Sequence, residues 1–138
     1  MDAHADERLF WFDHTRPLFE PLGCVDARRC GRWVFVSAQA GVDEQLVAPA
    51  GLEAQSRRAL RQLRHAYQAV GGEVESICQL TLYVNTTFLD MPLAAASETV
   101  FALWREIVPT ARPAGAMVGA QMFGIADLLL EVQCIGRA

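Results

Sequence analysis

The sequence predicts an α+β domain in which two helices pack on one face of a sheet. Three observations carry that expectation. Apolar residues recur at three- and four-residue spacing through residues 52–70 and again through 92–107, which is the period of a helix. Two other runs, 77–84 and 128–135, alternate at every second residue, so each presents two different faces. Glycine and proline separate these stretches at Gly41, Gly71-Gly72 and Pro109. Helices and strands intermingled in one short chain imply a sheet covered by helices.

The elements follow in order. Leu9-Phe-Trp-Phe12 reads as a short first strand. Arg32-Trp-Val-Phe-Val-Ser37 is a second, reached through Gly31 and left through small residues and Gly41. Residues 42–50 form a polar loop with Pro49 near its end. From Leu52 to Val70 the pattern is helical: Leu60, Leu63, Tyr67 and Val70 share one face, and Arg57, Arg58, Arg61 and Arg64 fall mainly outside it as a solvated face. Gly71-Gly72 supplies the stop. Ile77–Val84 is the next strand, with Cys78, Leu80, Leu82 and Val84 on an apolar face and Ile77, Gln79, Thr81 and Tyr83 on a mixed one. A second helix spans Pro92–Ile107, with Pro92 suited to its first position and Val100, Trp104 and Ile107 as its buried stripe. Two strands close the chain, Ala116–Met122 and Leu128–Ile135. In the last, Leu128, Leu130, Val132 and Cys134 point one way; Leu129, Glu131, Gln133 and Ile135 point the other.

The mixed faces of these strands are too apolar for water and too polar for a dry core. A sheet face of this kind is expected to be covered by another subunit. At 138 residues, with 52% hydrophobic content and no linker or repeat, the chain reads as one domain over residues 1–138. A formal charge of -4 argues against nucleic acid, which needs a clustered positive surface, despite the grouping of Arg28, Arg29 and Arg32. The N-terminal residues lack a signal-peptide pattern, and no apolar run reaches a membrane span. Cytoplasm is the expected location. Cys24, Cys30, Cys78 and Cys134 are widely spaced and read as free thiols, with Cys78 and Cys134 packed in strands. His4, His14 and His65 share no ligand-like spacing, so no metal site is expected.

Gly31-x-x-Val-Phe-Val-Ser-Ala-Gln39, the helix opening near Glu53-Ala-Gln-Ser-Arg and the Val-Gly-Gly after that helix form an ordered set. Leu80-Thr-Leu-Tyr-Val and the closing Pro113-Ala-x-x-x-Val to Leu-Glu-Val-x-x-Ile complete it. Together they resemble the Rid family, the reactive intermediate deaminases also called YjgF-like proteins, over roughly residues 20–137. The resemblance implies a homotrimer of chorismate-mutase-like subunits with ligand clefts between them. It further implies hydrolysis of imines or enamines, without metal or organic cofactor, to ammonia and a carbonyl compound. In the family an Arg after the Pro-Ala pair grips the substrate carboxylate, and a Glu on the last strand positions or activates water.

Carried onto this chain, the family Glu matches Glu131 and the Ser of the Val-Ser-x-Gln strand matches Ser37. The family Arg falls on Gly115, because Pro113-Ala114 matches the Pro-Ala pair and Val118-Gly119 the strand that follows. A register through Thr110-Ala111-Arg112 would restore an Arg but misplaces Val118. A family Tyr falls on Cys24, and the position two after the lost Arg is Met117. One charge-assisted hydrogen bond contributes about 1.5–3 kcal/mol, so its loss weakens carboxylate recognition roughly tenfold to a hundredfold. Gly115 leaves a larger, more neutral cleft beside Met117, with Met122 or Phe123 nearby, suited to a ligand without a carboxylate.

Each candidate has a functional and a plain reading. Glu131 is a general acid–base whose pKa burial would raise, or a group that pairs with a neighbouring subunit's Arg or Ser. Ser37 is a water or ligand partner, or a small strand-end residue. Cys24 lines the cleft, or is a passive thiol. Arg112 supplies charge at the cleft mouth, or is a surface turn residue. The expected function is metal-free hydrolysis of an imine, enamine or related small molecule lacking the usual carboxylate. The rivals are a non-catalytic trimeric small-molecule-binding protein and a pathway enzyme that uses the cleft for cyclisation or another water-assisted step.

Overall fold

A computed structural model describes residues 6–121 and 124–138. His4, Met122 and Phe123 lie outside the described residues. In chain order the elements are β1 (Glu7–Phe10), α1 (Arg16–Phe19), β2 (Ala27–Cys30), β3 (Trp33–Ala40), α2 (Leu52–Ala69), β4 (Ile77–Asn85), α3 (Leu93–Ile107), β5 (Ala114–Ala120) and β6 (Leu130–Arg137), with 3₁₀ turns at Glu20–Leu22 and Val74–Ser76. One six-stranded sheet runs β1-β2-β3-β6-β4-β5. Neighbours are antiparallel except β4 and β5, which run parallel because α3 carries the chain back across the sheet. The fold is the expected α+β layering, with α2 and α3 on one face.

The apolar stripes explain the packing. Leu60, Leu63, Tyr67 and Val70 of α2 and its end are fully buried, as is Val100 of α3, and Trp104 is buried beside it. They meet Val34, Val36, Leu80, Leu82, Val132 and Cys134 across the sheet. The α2 terminus is closed by Gly71, whose φ of +87° lies in the left-handed region. Its N–H bonds the Gln68 carbonyl at 2.9 Å, and the Gly72 N–H bonds the Tyr67 carbonyl at 3.0 Å. Those two crossed bonds satisfy carbonyls that the helix leaves open. The Arg57 side chain pairs with Glu106 of α3 at 2.5 Å, and Arg64 donates to the Ile107 carbonyl at 3.0 Å, tying the two helices.

Several boundaries differ from the sequence reading. The first strand is Glu7–Phe10 rather than 9–12, and Ala27–Cys30 is an additional strand. That strand is short and polar, with only Ala27 buried, so alternation gives it no signal. Pro92 caps α3 rather than opening it: its backbone is extended, ψ 145°, and its carbonyl accepts from the Ala96 N–H. The larger correction concerns Cys78, which is exposed. The β4–β6 register shifts between Ile77 and Gln79, so one residue of β4 is left over. The shift breaks the alternation, turns Ile77 into the core and puts Cys78 outside. Cys134 is buried, and burial pushes its thiol pKa up.

On the sheet face away from the helices, Trp33, Phe35 and Val118 remain 40%, 42% and 42% exposed. Those values are high for aromatic and branched side chains in strand interiors.

Candidate functional site

Glu131 stands near the start of β6, and two buried amides fix where β6 begins. Gln55 of α2 donates to the Pro49 and Asp127 carbonyls at 3.0 Å each and accepts the Leu129 N–H at 2.8 Å. Asn85 at the end of β4 donates to the Leu128 carbonyl at 3.1 Å, and its own N–H bonds the Leu129 carbonyl at 2.9 Å. A segment that cannot extend the ladder is thereby held by side chains instead. Glu131 itself sits between Ala40 of β3 and Tyr83 of β4. Its carboxyl has no hydrogen bond or ion pair among the described residues. Burial holds its pKa above the ordinary glutamate range, since desolvation disfavours the charged form.

Glu131 opens into a cavity of about 240 Å³. Its other polar lining comes from His14, Thr15, Asp26, Gln39 and Gln62; Leu18, Phe19, Leu46 and Ile125 contribute apolar wall. Asp26 is only 1% exposed. Its carboxyl accepts from the Phe12 N–H at 3.0 Å, from the Thr15 hydroxyl, and from the Gln39 side-chain amide at 3.1 Å. Gln39, 3% exposed, also donates to the Ser37 carbonyl at 3.2 Å. A β3 bulge makes this meeting possible, because the β3–β6 register shifts between Val36 and Gln39.

Of the six residues singled out in the sequence, only Glu131 lines this cavity. Ser37 is exposed at the bulge and donates its hydroxyl to the Val25 carbonyl at 2.7 Å. Cys24 is exposed, its carbonyl accepting the Trp11 indole N–H at 2.8 Å. Arg112 turns back on its own loop, donating to the Pro109 and Ala111 carbonyls at 2.7 and 2.9 Å. Gly115 and Met117 lie opposite Leu80 and Leu82, in the rows of the helix-facing Cys134 and Val132; Glu131 shares its row with Tyr83 and Val118. Directly paired residues face the same way. Gly115 and Glu131 therefore occupy opposite faces within one chain. A side chain at position 115 would start 3.3 Å from the Leu80 carbonyl oxygen and 3.8 Å from the Phe101 ring.

The sequence reading did not single out Asp26 or Gln39. Gln39 closes the Val-Phe-Val-Ser-Ala-Gln run, and an amide at a strand end was the one available signal. Nothing in spacing links it to Asp26. Among the described residues, no group of three or more His, Cys, Asp and Glu side chains could hold a metal ion. No described helix is long and apolar enough to cross a membrane.

Comparison with known proteins places this geometry in context. The family model for endoribonuclease L-PSP matches residues 23–138. The chain belongs to that family, also known as YjgF/YER057c/UK114. Three solved structures illustrate the shared fold of this L-PSP family domain. Rv2704 of Mycobacterium tuberculosis, described as a member of the YjgF/YER057c/UK114 family, is 19% identical with a TM-score of 0.77, covering 96% of this chain and 99% of its own. E. coli TdcF with bound serine is 23% identical with a TM-score of 0.70, covering 83% and 87%. The E. coli YjgF gene product is 22% identical with a TM-score of 0.68, covering 82% and 86%. No curated protein sequence matches the chain.

Proposed function

We propose that this L-PSP family protein hydrolyses an imine or enamine that lacks a carboxylate, with Glu131 directing the water. The observation that carries the reading is Glu131 itself: a carboxyl without a partner among the described residues, its pKa raised by burial, facing a cavity. Burial that raises its pKa makes the carboxylate a stronger base, which can take a proton from water as the water oxygen attacks the imine carbon. The C=N electron pair moves to nitrogen, which is protonated, and the C–N bond then breaks to release ammonia and leave the carbonyl. The chain has no lysine to capture the carbonyl as a Schiff base, so water is the nucleophile in this scheme. No metal or organic cofactor is invoked.

Substrate class follows from what surrounds the site. A related fold binds serine, an amino acid with a carboxylate. Here no arginine lines the Glu131 cavity and Gly115 stands after Pro113-Ala114. The exposed Trp33, Phe35 and Val118 support a homotrimer in which a neighbouring protomer covers that sheet face, the face on which Glu131 lies. An RNA substrate is disfavoured, because Arg28, Arg29 and Arg57 are already paired with Glu7, Asp6 and Glu106.

A second reading is a trimeric binding protein without turnover. It is favoured by Ser37, whose hydroxyl is committed to the Val25 carbonyl rather than to a cavity. The deciding assay uses freshly generated imines with and without a carboxylate, on wild type, Glu131→Ala and Gly115→Arg. Turnover confined to carboxylate-free imines, and abolished by Glu131→Ala with folding intact, is the expected result. Turnover absent in wild type and restored only by Gly115→Arg overturns it in favour of the binding protein.

A further inference from the structure

The Asp26–Gln39 pair has a chemical polarity. An amide oxygen and nitrogen look alike in shape, but their neighbours here distinguish them. Both the Asp26 carboxyl and the Ser37 carbonyl are acceptors, and both contact the same end of the Gln39 side chain, at 3.1 and 3.2 Å. That end is the nitrogen, and both its protons are used. The opposite atom, Oε1, receives no donor among the described residues. It is nevertheless not sealed in: the buried side-chain oxygens and nitrogens without a partner among those residues are Ser56 Oγ and Trp104 Nε1 only. Gln39 Oε1 therefore reaches the cavity that Gln39 lines.

Gln62 repeats the pattern. Its amide nitrogen donates to the Val42 carbonyl at 2.9 Å, and its Oε1 accepts nothing among the described residues. The cavity thus offers two free acceptors, Gln39 Oε1 and Gln62 Oε1, with the Glu131 carboxyl reaching it from the neighbouring row and the His14 imidazole at its border; no arginine lines it and the chain has no lysine. A ligand satisfies these two oxygens with hydrogen-bond donors, and a positive charge on a nitrogen donor strengthens each bond. Leu18, Phe19 and Ile125 supply apolar wall for the organic part of such a ligand.

We propose that this cavity is a specificity pocket for the protonated nitrogen of an organic amine or iminium, with Gln39, oriented by Asp26, as its selecting residue beside Glu131. The choice of an iminium among organic cations rests on the imine-hydrolysis reading; the preference for a cation does not. Asp26 acts as a positioning residue: it makes Gln39 present oxygen rather than nitrogen.

The test is calorimetric titration of the assembled wild-type protein with benzylammonium and with benzyl alcohol, its neutral analogue. Wild type is expected to bind benzylammonium more tightly. Gln39→Met keeps the shape, removes the acceptor, and is expected to weaken benzylammonium binding by about tenfold or more and benzyl alcohol binding by less, since a neutral hydroxyl makes the weaker bond. Asp26→Asn frees the amide to turn and should lose part of the same preference. In wild type, the Gln39 side-chain amide resonances should shift on adding benzylammonium, a readout that needs no variant to fold. Equal binding of the two probes, an unchanged preference in folded Gln39→Met, or unshifted Gln39 resonances would overturn the pocket. Turnover of carboxylate-free imines without any ammonium preference refutes the pocket alone. Ammonium binding through Gln39 without turnover supports the pocket and refutes the hydrolase alone.

Discussion

Replacing Asp26 by alanine should destabilise the fold more than any surface change, and the size can be worked from its partners. Three donors lose their acceptor: the Phe12 N–H, the Thr15 hydroxyl and the Gln39 amide. Their alternatives differ. The Thr15 hydroxyl still has the Phe12 carbonyl at 3.1 Å, and the Gln39 nitrogen still has the Ser37 carbonyl at 3.2 Å. The Phe12 N–H has no other acceptor among the described residues. An orphaned buried donor costs about 1–3 kcal/mol, and a donor reduced to one partner loses about 0.5–1.5 kcal/mol. The total is roughly 2–6 kcal/mol, a large share of the 5–15 kcal/mol typical of a domain. Urea unfolding followed by tryptophan fluorescence measures it as a lower midpoint at unchanged slope. Asp26→Asn keeps the volume and one acceptor, so its loss should be about half as large. An alanine variant within about 0.5 kcal/mol of wild type, the range of ordinary surface changes, would mean that Asp26 does not anchor the N-terminal segment.

Glu131→Gln gives a pH signature. Because burial raises the folded-state pKa, the folded chain holds the proton through a pH window where the unfolded chain has released it, so wild-type stability falls as pH rises above the ordinary glutamate value of 4.5. The Gln variant should therefore match wild type below that pH and exceed it progressively above; a variant that is less stable at neutral pH would reveal an ion pair to a neighbouring subunit. Phe35→Glu should convert a species of three times the 15.2 kDa chain mass into a monomer by light scattering, and an unchanged mass would remove the sheet face from the interface. Gly136→Ala should cost about 1–3 kcal/mol or more, because its methyl would start 2.6 Å from the Ser76 carbonyl oxygen and 2.8 Å from the Ile77 Cα; thermal melting checks this.

Periodicity made much of the fold legible. The stripes of α2 and α3 and the alternation in β6 follow from burial on one face, which leaves a mark every few residues. The same rule misplaced Cys78, because a bulge adds a residue without adding a pattern. It also passed over β2, whose Arg-rich outer positions pair with charged neighbours in Glu7 and Asp6 rather than with a core. The site was legible where one residue contradicts its surroundings: Glu131 is a charge in an apolar run. Asp26 and Gln39 contradict nothing locally. Their importance comes from a contact across 13 positions that only the folded chain makes.

The bulge in β3 makes the pocket depend on residue count as well as residue type. Val36 lies opposite Cys134, yet Gln39 lies opposite Val132, one place out of step. If the bulge were flattened with every residue retained, regular pairing would bring Gln39 opposite Glu131 and turn its side chain to the other side of the sheet, away from Asp26. Such a change of register would retain every polar group of the cavity in the sequence while dismantling it in space. Relatives with the same Val-Ser-x-Gln letters but a shorter or longer strand end would then present a different wall to their ligands, and alignment by residue identity would hide the difference.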